Sequence, residues 1–294
     1  MGAILIGGVT AGAWLDSFFA VFDYSVFQMF GSVQNGFFTF LAKVFTSMGE
    51  VIYGVLFCIL CIALIFFKRT RRLGLALVFA IVIGTLLTNF IIKPAVLRVR
   101  PYNTLQNDPL YWSWYLKAGA LSESDYCFPS GHTTIATEIS IVLCYIHAGS
   151  KRGKAKGVCW IFPLIAVLVG FSRVYLMVHY MSDVLAGWVI GIIAGFVGIL
   201  LMKLACRVLN RPFDFLDVHI KRTGTAGAWF IALAWMVIFV VSFMKVSTSG
   251  GEDALRCAYN GTYDCQNEVK EKPKYEFNGE YYCKIHINEL TSAD

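Results

Sequence analysis

Residues 172–183 read SRVYLMVHYMSD and set Arg173, His179 and Asp183 between two strongly apolar runs. His179 and Asp183 are four apart and share one helical face. A carboxylate hydrogen-bonded to one imidazole nitrogen fixes the tautomer. It leaves the other nitrogen free as a nucleophile or base. Arg173 stands a turn or two earlier, within reach of an anion beside His179. Seen alone, the trio also fits a structural ion pair at a helix end. Ionisable residues at the edge of a bilayer favour a functional reading.

Two further clusters carry matching chemistry. KPAVLRVRP, Lys93 to Pro101, offers an ammonium and guanidinium groups; Arg presents a bidentate fork to phosphate. The bland alternative is a basic anchor at the membrane edge. FPSGH, Phe128 to His132, opens onto an apolar helix. Free backbone N–H groups and the positive dipole end suit an oxyanion there. The alternative is an ordinary Ser cap with an incidental His. Together the clusters supply Lys93, Arg100, Arg173, His132, His179, Asp183 and the backbone donors of Ser130 and Gly131. One His can attack phosphorus while the other protonates the leaving oxygen. Cations and N–H groups can hold the anionic transition state. Lys and Arg supply this charge, and no cluster of carboxylates lies near the motifs in sequence, so neither a metal nor a cofactor is expected.

The elements that must position these groups follow from composition. Of 294 residues, 57% are hydrophobic and 15% charged, against roughly 25% charged in soluble domains. The apolar residues come in six blocks: Val51–Phe67, Leu73–Ile92, Thr133–Gly149, Val158–Ser172, Val184–Met202 and Gly224–Met244. Only Glu138 places a charge within them. A span needs about 20 residues, and lipid tolerates helices but not open strands. The expected fold is an all-α integral membrane protein with six transmembrane helices over residues 48–245. Residues 1–47 mix Phe with Asp16, Asp23 and Asn35. They are expected to form an amphipathic interfacial region rather than a span. No basic start precedes Ile6, so a cleaved signal peptide is not expected.

Thirteen of the 25 Lys and Arg residues lie in three alternate loops, at 68–72, 151–156 and 203–222. The positive-inside rule puts these inside. All three polar clusters and the carboxyl tail then lie outside, at a cell membrane.

The three clusters resemble the signature of the type-2 phosphatidic acid phosphatase superfamily, K-x6-RP, PSGH and SR-x5-H-x3-D. All three are complete, as Lys93…Arg100-Pro101, Pro129-Ser130-Gly131-His132 and Ser172-Arg173…His179…Asp183. The resemblance covers roughly residues 45–205. It implies His179 as a nucleophile forming a phosphohistidine, Asp183 as its orienter, and His132 as the acid. Lys93, Arg100 and Arg173 would clamp phosphate oxygens, with Ser130 and Gly131 completing the cradle. It also implies a hydrolase acting on a lipid phosphate or diphosphate. Undecaprenyl diphosphate comes first because that lipid is released on the outer face. A broader monoesterase acting on phosphatidic acid or phosphatidylglycerophosphate, and a non-catalytic lipid-phosphate binder, are the alternatives. Membrane lipids are the expected surroundings, and no nucleic acid partner is expected.

Other residues read as bland. Arg98 falls within the first motif but not at a fixed position, and is expected to stay outside the substrate contacts. Glu138 is expected to make an interhelical hydrogen bond. Tyr102, Tyr111, Trp112, Trp114 and Tyr115 are expected in an aromatic belt, or else as a wall of the lipid entrance. His147 and His219 lie at inner edges. The tail, 246–294, carries nine acidic and five basic residues and repeats NG-x-Y-x-C at 260–265 and 278–283. Asn-Gly between aromatic residues predicts hairpins in a small polar appendage. Cys257, Cys265 and Cys283 can pair outside, or bind zinc with His286. Asn260-Gly261-Thr262 is a glycosylation sequon.

Overall fold

The structure, a computed structural model, describes residues 4–6, 8–47, 51–67, 70–148, 159–208, 276–277 and 280–282. Gly224–Met244, the loop at 151–156, Lys68, Arg69, His219, the sequon, Cys257, Cys265, Cys283 and His286 lie outside the described residues. A short hairpin, β1 Leu5–Ile6 and β2 Val9–Thr10, leads into α1 Ala11–Ser32 and α2 Gly36–Ser47. The Thr10 hydroxyl caps α1 by accepting from the Ala13 N–H, and the Asn35 side chain accepts from Phe38 N–H ahead of α2.

Helix α3 spans Val51–Ile65 and α4 spans Arg71–Thr85. Helix α4 runs into a π-helical stretch, Leu86–Ile92, and a last turn α5, Lys93–Val96. Pro94 and the left-handed Leu97 then end the run, and Pro101 starts the short α6, Pro101–Thr104. Helix α7, Pro109–Ala118, is capped by Asp108 and closed by the left-handed Gly119. There follow α8 Gly131–Ala148, α9 Ile161–Tyr175 and α10 Met181–Val208. In the tail β3 Glu276–Phe277 pairs antiparallel with β4 Glu280–Tyr281, flanking the second Asn-Gly of the repeat.

Helix α10 lies against both α4 and α8, and α9 packs on α8 and α2. Close approach is set by a glycine stripe. A Cβ on Gly187 would stand 2.9 Å from Ser130 O. On Gly191 it would stand 2.6 Å from Thr137 Cβ, and on Gly198 2.6 Å from Ala80 N. Small residues four apart let helix backbones meet, as membrane helices do. The opposite face of α10 exposes Val189, Ile193, Phe196, Leu200 and Leu204. Helix α3 likewise exposes Val55, Leu56, Ile59 and Ile62. Apolar outside and small or polar inside is the arrangement lipid favours and water does not.

Five of the six expected blocks coincide with helices α3, α4, α8, α9 and α10. Two stretches, Arg71–Thr104 with its break at Leu97 and Met181–Val208, are long and apolar enough to cross a membrane by length and composition. Helices α3 and α9 have 15 residues each, so they reach only about 22 Å at 1.5 Å per residue. Six full spans are therefore not established. The aromatic-belt expectation fails for three residues: Tyr102, Tyr111 and Tyr115 are buried with Phe27 in the core. Their hydroxyls explain this, since each donates to a backbone oxygen, of Glu123, Met177 and Leu121 respectively.

Gly191→Leu is expected to destabilise the protein by about 1–3 kcal/mol or more, because its side chain overpacks α8. Thermal unfolding in detergent, followed by circular dichroism, reads the effect. An unchanged transition would contradict the close packing.

Candidate active site

The π-helical stretch and the early break of the run at Leu97 bring Lys93, Arg98 and Arg100 to one end of the bundle. The α9–α10 corner presents His179 there, and the start of α8 presents Ser130, Gly131 and His132. The three sequence clusters meet. A Cβ on Gly131 would lie 4.0 Å from Lys93 Nζ. Ser130 N–H donates to Asp183 O at 3.1 Å. His132 stands close enough to Arg173, Glu123, His179 and Lys93 to feel their charges. The site lies deep: Arg100, His179, Ser130 and Asp183 are all buried.

His179 has its two ring nitrogens in different surroundings. Nδ1 lies 3.3 Å from Asp183 Oδ2, and Nε2 lies 3.2 Å from Arg100 Nη1. Nδ1–H donating to the carboxylate leaves the Nε2 lone pair toward the cations. Asp183 Oδ2 also accepts the Tyr180 N–H at 3.0 Å. Burial, then the positive charge of Arg100, pushes the imidazole down to about 4, against the opposing hydrogen bond to Asp183. The ring is therefore neutral and unprotonated at Nε2 across the neutral range.

Neither Glu123 nor Asp125 belongs to a sequence motif, yet both reach the cations. Glu123 accepts from Arg100 Nη2 at 2.5 Å and from Arg173 Nη2 at 2.6 Å. Asp125 accepts from Lys93 Nζ at 2.5 Å and from Arg100 Nη2 at 2.6 Å. The loop after α7 thus brings carboxylates to a site where sequence spacing indicated none. Their oxygens meet the same donors that phosphate oxygens would need. Burial raises the cost of ionising Glu123, but Arg100 and Arg173 outweigh it and hold its carboxyl well below the usual range. Arg173 also bonds Thr46 of α2, while its buried Nε has no partner among the described residues. Among the described residues no group of three or more His, Cys, Asp and Glu is arranged to hold a metal ion.

One other expectation needs correcting. Glu138 makes no interhelical hydrogen bond: its carboxyl is buried against Gly84, with no partner among the described residues. Arg98, expected to stay outside the substrate contacts, donates from Nη1 to Asp183 Oδ1 at 2.6 Å. Ser130, expected as a backbone donor, gives its N–H to Asp183 O, and its Oγ accepts from Thr133 at 2.9 Å. Cys127 is free and buried, donating to Val99 O, and His147 contacts Leu143 O within its own helix.

Residues 73–207 match the PAP2 superfamily. All three motifs fall within that stretch. The chain is 36% identical over 129 residues to an undecaprenyl-diphosphatase of Sulfolobus acidocaldarius, covering 44% of this chain and 54% of that protein. It is 37% identical over 135 residues to phosphatidylglycerophosphatase B of Bacillus subtilis, covering 45% and 59%. Against the crystal structure of a transmembrane PAP2-type phosphatidylglycerolphosphate phosphatase from Bacillus subtilis the TM-score is 0.53 at 25% identity. That match covers 66% of this chain and 91% of the other. The chain spans a little over half the length of these two curated relatives.

An oxyanion binding these cations competes with Glu123, which stays charged at neutral pH. Glu123→Gln keeps the shape and removes the charge. It is expected to bind orthovanadate about tenfold more tightly, or about 1.4 kcal/mol, by isothermal titration calorimetry at pH 7. Equal or weaker binding would count against this competition.

Proposed function

We propose that the chain is a membrane lipid phosphatase, hydrolysing a phosphate or diphosphate ester of a lipid through a phosphohistidine. The observation that carries this reading is His179, with Nδ1 on Asp183 and Nε2 directed at the cations. In the first step Nε2 attacks phosphorus and the bond from phosphorus to the leaving oxygen breaks. Asp183 stabilises the positive charge that develops on the ring. His132, whose imidazolium is favoured by the negative charge that the phosphate brings into the site, gives its proton to the leaving oxygen. In the second step His132 takes a proton from water, water attacks phosphorus, and the nitrogen–phosphorus bond breaks to release inorganic phosphate. Lys93, Arg100, Arg173 and the Gly131 N–H hold the equatorial oxygens, releasing Glu123 and Asp125 as they do so. These cations carry the charge stabilisation, so the reaction is metal-independent.

Undecaprenyl diphosphate is the first-choice substrate. The basic loops support an outward site in a plasma membrane, and one relative carries that activity in its name. A lipid phosphate monoesterase is the second reading, supported by the phosphatidylglycerophosphatase relative. A non-catalytic binder is disfavoured because His132, His179 and Asp183 are all present.

Purified protein in detergent with EDTA, given polyprenyl diphosphate, phosphatidic acid and phosphatidylglycerophosphate in parallel, tests this. Phosphate release is expected, fastest from the diphosphate, and His179→Ala should lower kcat by roughly 10⁴-fold or more. No release from any of the three would favour the binder. Full activity in His179→Ala would remove the phosphohistidine.

A further inference from the structure

Arg98 is engaged through every nitrogen of its guanidinium and has no assigned role. Its side chain is fully buried and each of its nitrogens is used. Nε donates to Asp16 Oδ1 at 2.7 Å and Nη2 to Asp23 Oδ2 at 2.9 Å. Nη1 donates to Ser182 Oγ at 2.7 Å and Asp183 Oδ1 at 2.6 Å. The guanidinium carbon stacks 3.9 Å from the centroid of the Tyr180 ring. Asp23 closes the network from the other side, accepting from Ser182 N–H at 2.8 Å and from its hydroxyl at 2.6 Å.

Two of these carboxylates come from α1, which lies outside the stretch matched by the PAP2 superfamily. The helix is seated closely, because a Cβ on Gly12 would stand 2.6 Å from Arg98 Cα. Ile4 N–H also donates to Ala95 O at 2.8 Å. The amino-terminal region is thus built onto the motif that carries Lys93 and Arg100.

We propose that Arg98, held by Asp23 and Asp16 of α1, is a positioning residue that fixes Asp183 against His179, so that the amino-terminal helix is a working part of the active site. The inference rests on the phosphatase reading above for its catalytic consequence, though not for its structural one. The carboxylate of Asp183 has two oxygens and two duties. Oδ1 is pinned by Arg98, which turns Oδ2 toward the Nδ1–H of His179. The guanidinium fork fixes that rotation through several donors at once, which a lysine ammonium does not. Arg98 also places a positive charge behind Asp183, limiting how strongly that carboxylate favours an imidazolium. Outer partners of this kind change activity by about 10–100-fold when removed.

Charged and titratable groups surround the pair among the described residues. His179 faces Arg100 and Asp183, with Arg173, Glu123 and His132 nearby. Arg98 faces Asp16, Asp23, Asp183, Tyr180 and Cys127.

The test uses the full chain in detergent, with Arg98→Met, Arg98→Lys and Asp23→Asn. Two readouts are taken: kcat and KM on the lipid that the wild type cleaves fastest, and the His179 titration followed by imidazole NMR. In the wild type, burial and the Arg100 charge push the ring down to about 4. Losing the Arg98 charge makes Asp183 a stronger partner for the imidazolium, so in Arg98→Met the midpoint moves upward by about one unit or more. Its kcat falls about 10–100-fold with little change in KM. Arg98→Lys keeps the charge and loses the fork. It keeps the low midpoint but loses about tenfold in kcat. Asp23→Asn loses a charge at the far end and is expected to lower kcat several-fold at unchanged KM. If Arg98→Met does not fold, Arg98→Lys and Asp23→Asn decide. Wild-type kcat in both of those folded variants overturns the proposal. So does an unshifted midpoint in folded Arg98→Met, or an effect on KM alone. A wild type that releases no phosphate would refute the phosphatase reading, while the titration would still decide whether Arg98 governs the pair.

Discussion

Four cations buried at one end of an apolar helix bundle must each be matched by an anion. An isolated charge moved out of water costs several kcal/mol even after relaxation. Lys93, Arg98, Arg100 and Arg173 are all buried there. Asp125 answers Lys93, and Asp16, Asp23 and Asp183 answer Arg98. Glu123 and Asp125 answer Arg100, and Glu123 bridges on to Arg173. This neutralisation organises the top of the bundle. It pulls the amino-terminal helix inward, draws the α7–α8 loop over the site, and fixes the α9–α10 corner. Its two halves differ in kind. The carboxylates on Arg98 are locked into a closed hydrogen-bond network. Those on Lys93, Arg100 and Arg173 come from a partly exposed loop, where an incoming oxyanion can replace them.

Below this polar end the physics reverses. Helix α10 turns glycines inward and Leu, Ile and Phe outward. With no hydrophobic drive between helices in lipid, close backbone contact does the holding. That contact matters to the site, because Gly187 lets α10 approach Ser130 and sets the Ser130 N–H to Asp183 O bond. The His179–Asp183 pair and the Ser130–Gly131 turn are thus in register because α10 and α8 touch.

Much of this was legible in the chain. Apolar blocks located five helices, because burial in lipid demands continuous apolar runs. The three motifs located the site, because His, Asp, Lys and Arg are rare enough there to stand out. What stayed hidden depends on pairing across long separations. Glu123 meets Arg173 fifty residues away, and Arg98 meets Asp23 seventy-five residues away; no periodicity encodes either. Tyr102, Tyr111 and Tyr115 read as a belt because composition shows an amphipathic ring but not which way it faces. Glu138 was expected to find a partner across helices, and instead packs its carboxyl into the space that Gly84 leaves.

The central claim is that His179 carries the phosphoryl group, and trapping that group tests it most directly. With para-nitrophenyl phosphate the leaving group needs no proton, so His132→Ala should still be phosphorylated yet be slow to react with water. Rapid quenching with base, followed by peptide mass spectrometry, should then find phosphate on His179 in the His132→Ala protein. Phosphate on any other residue would contradict the account. So would a His179 that never carries phosphate in a variant shown to release nitrophenol.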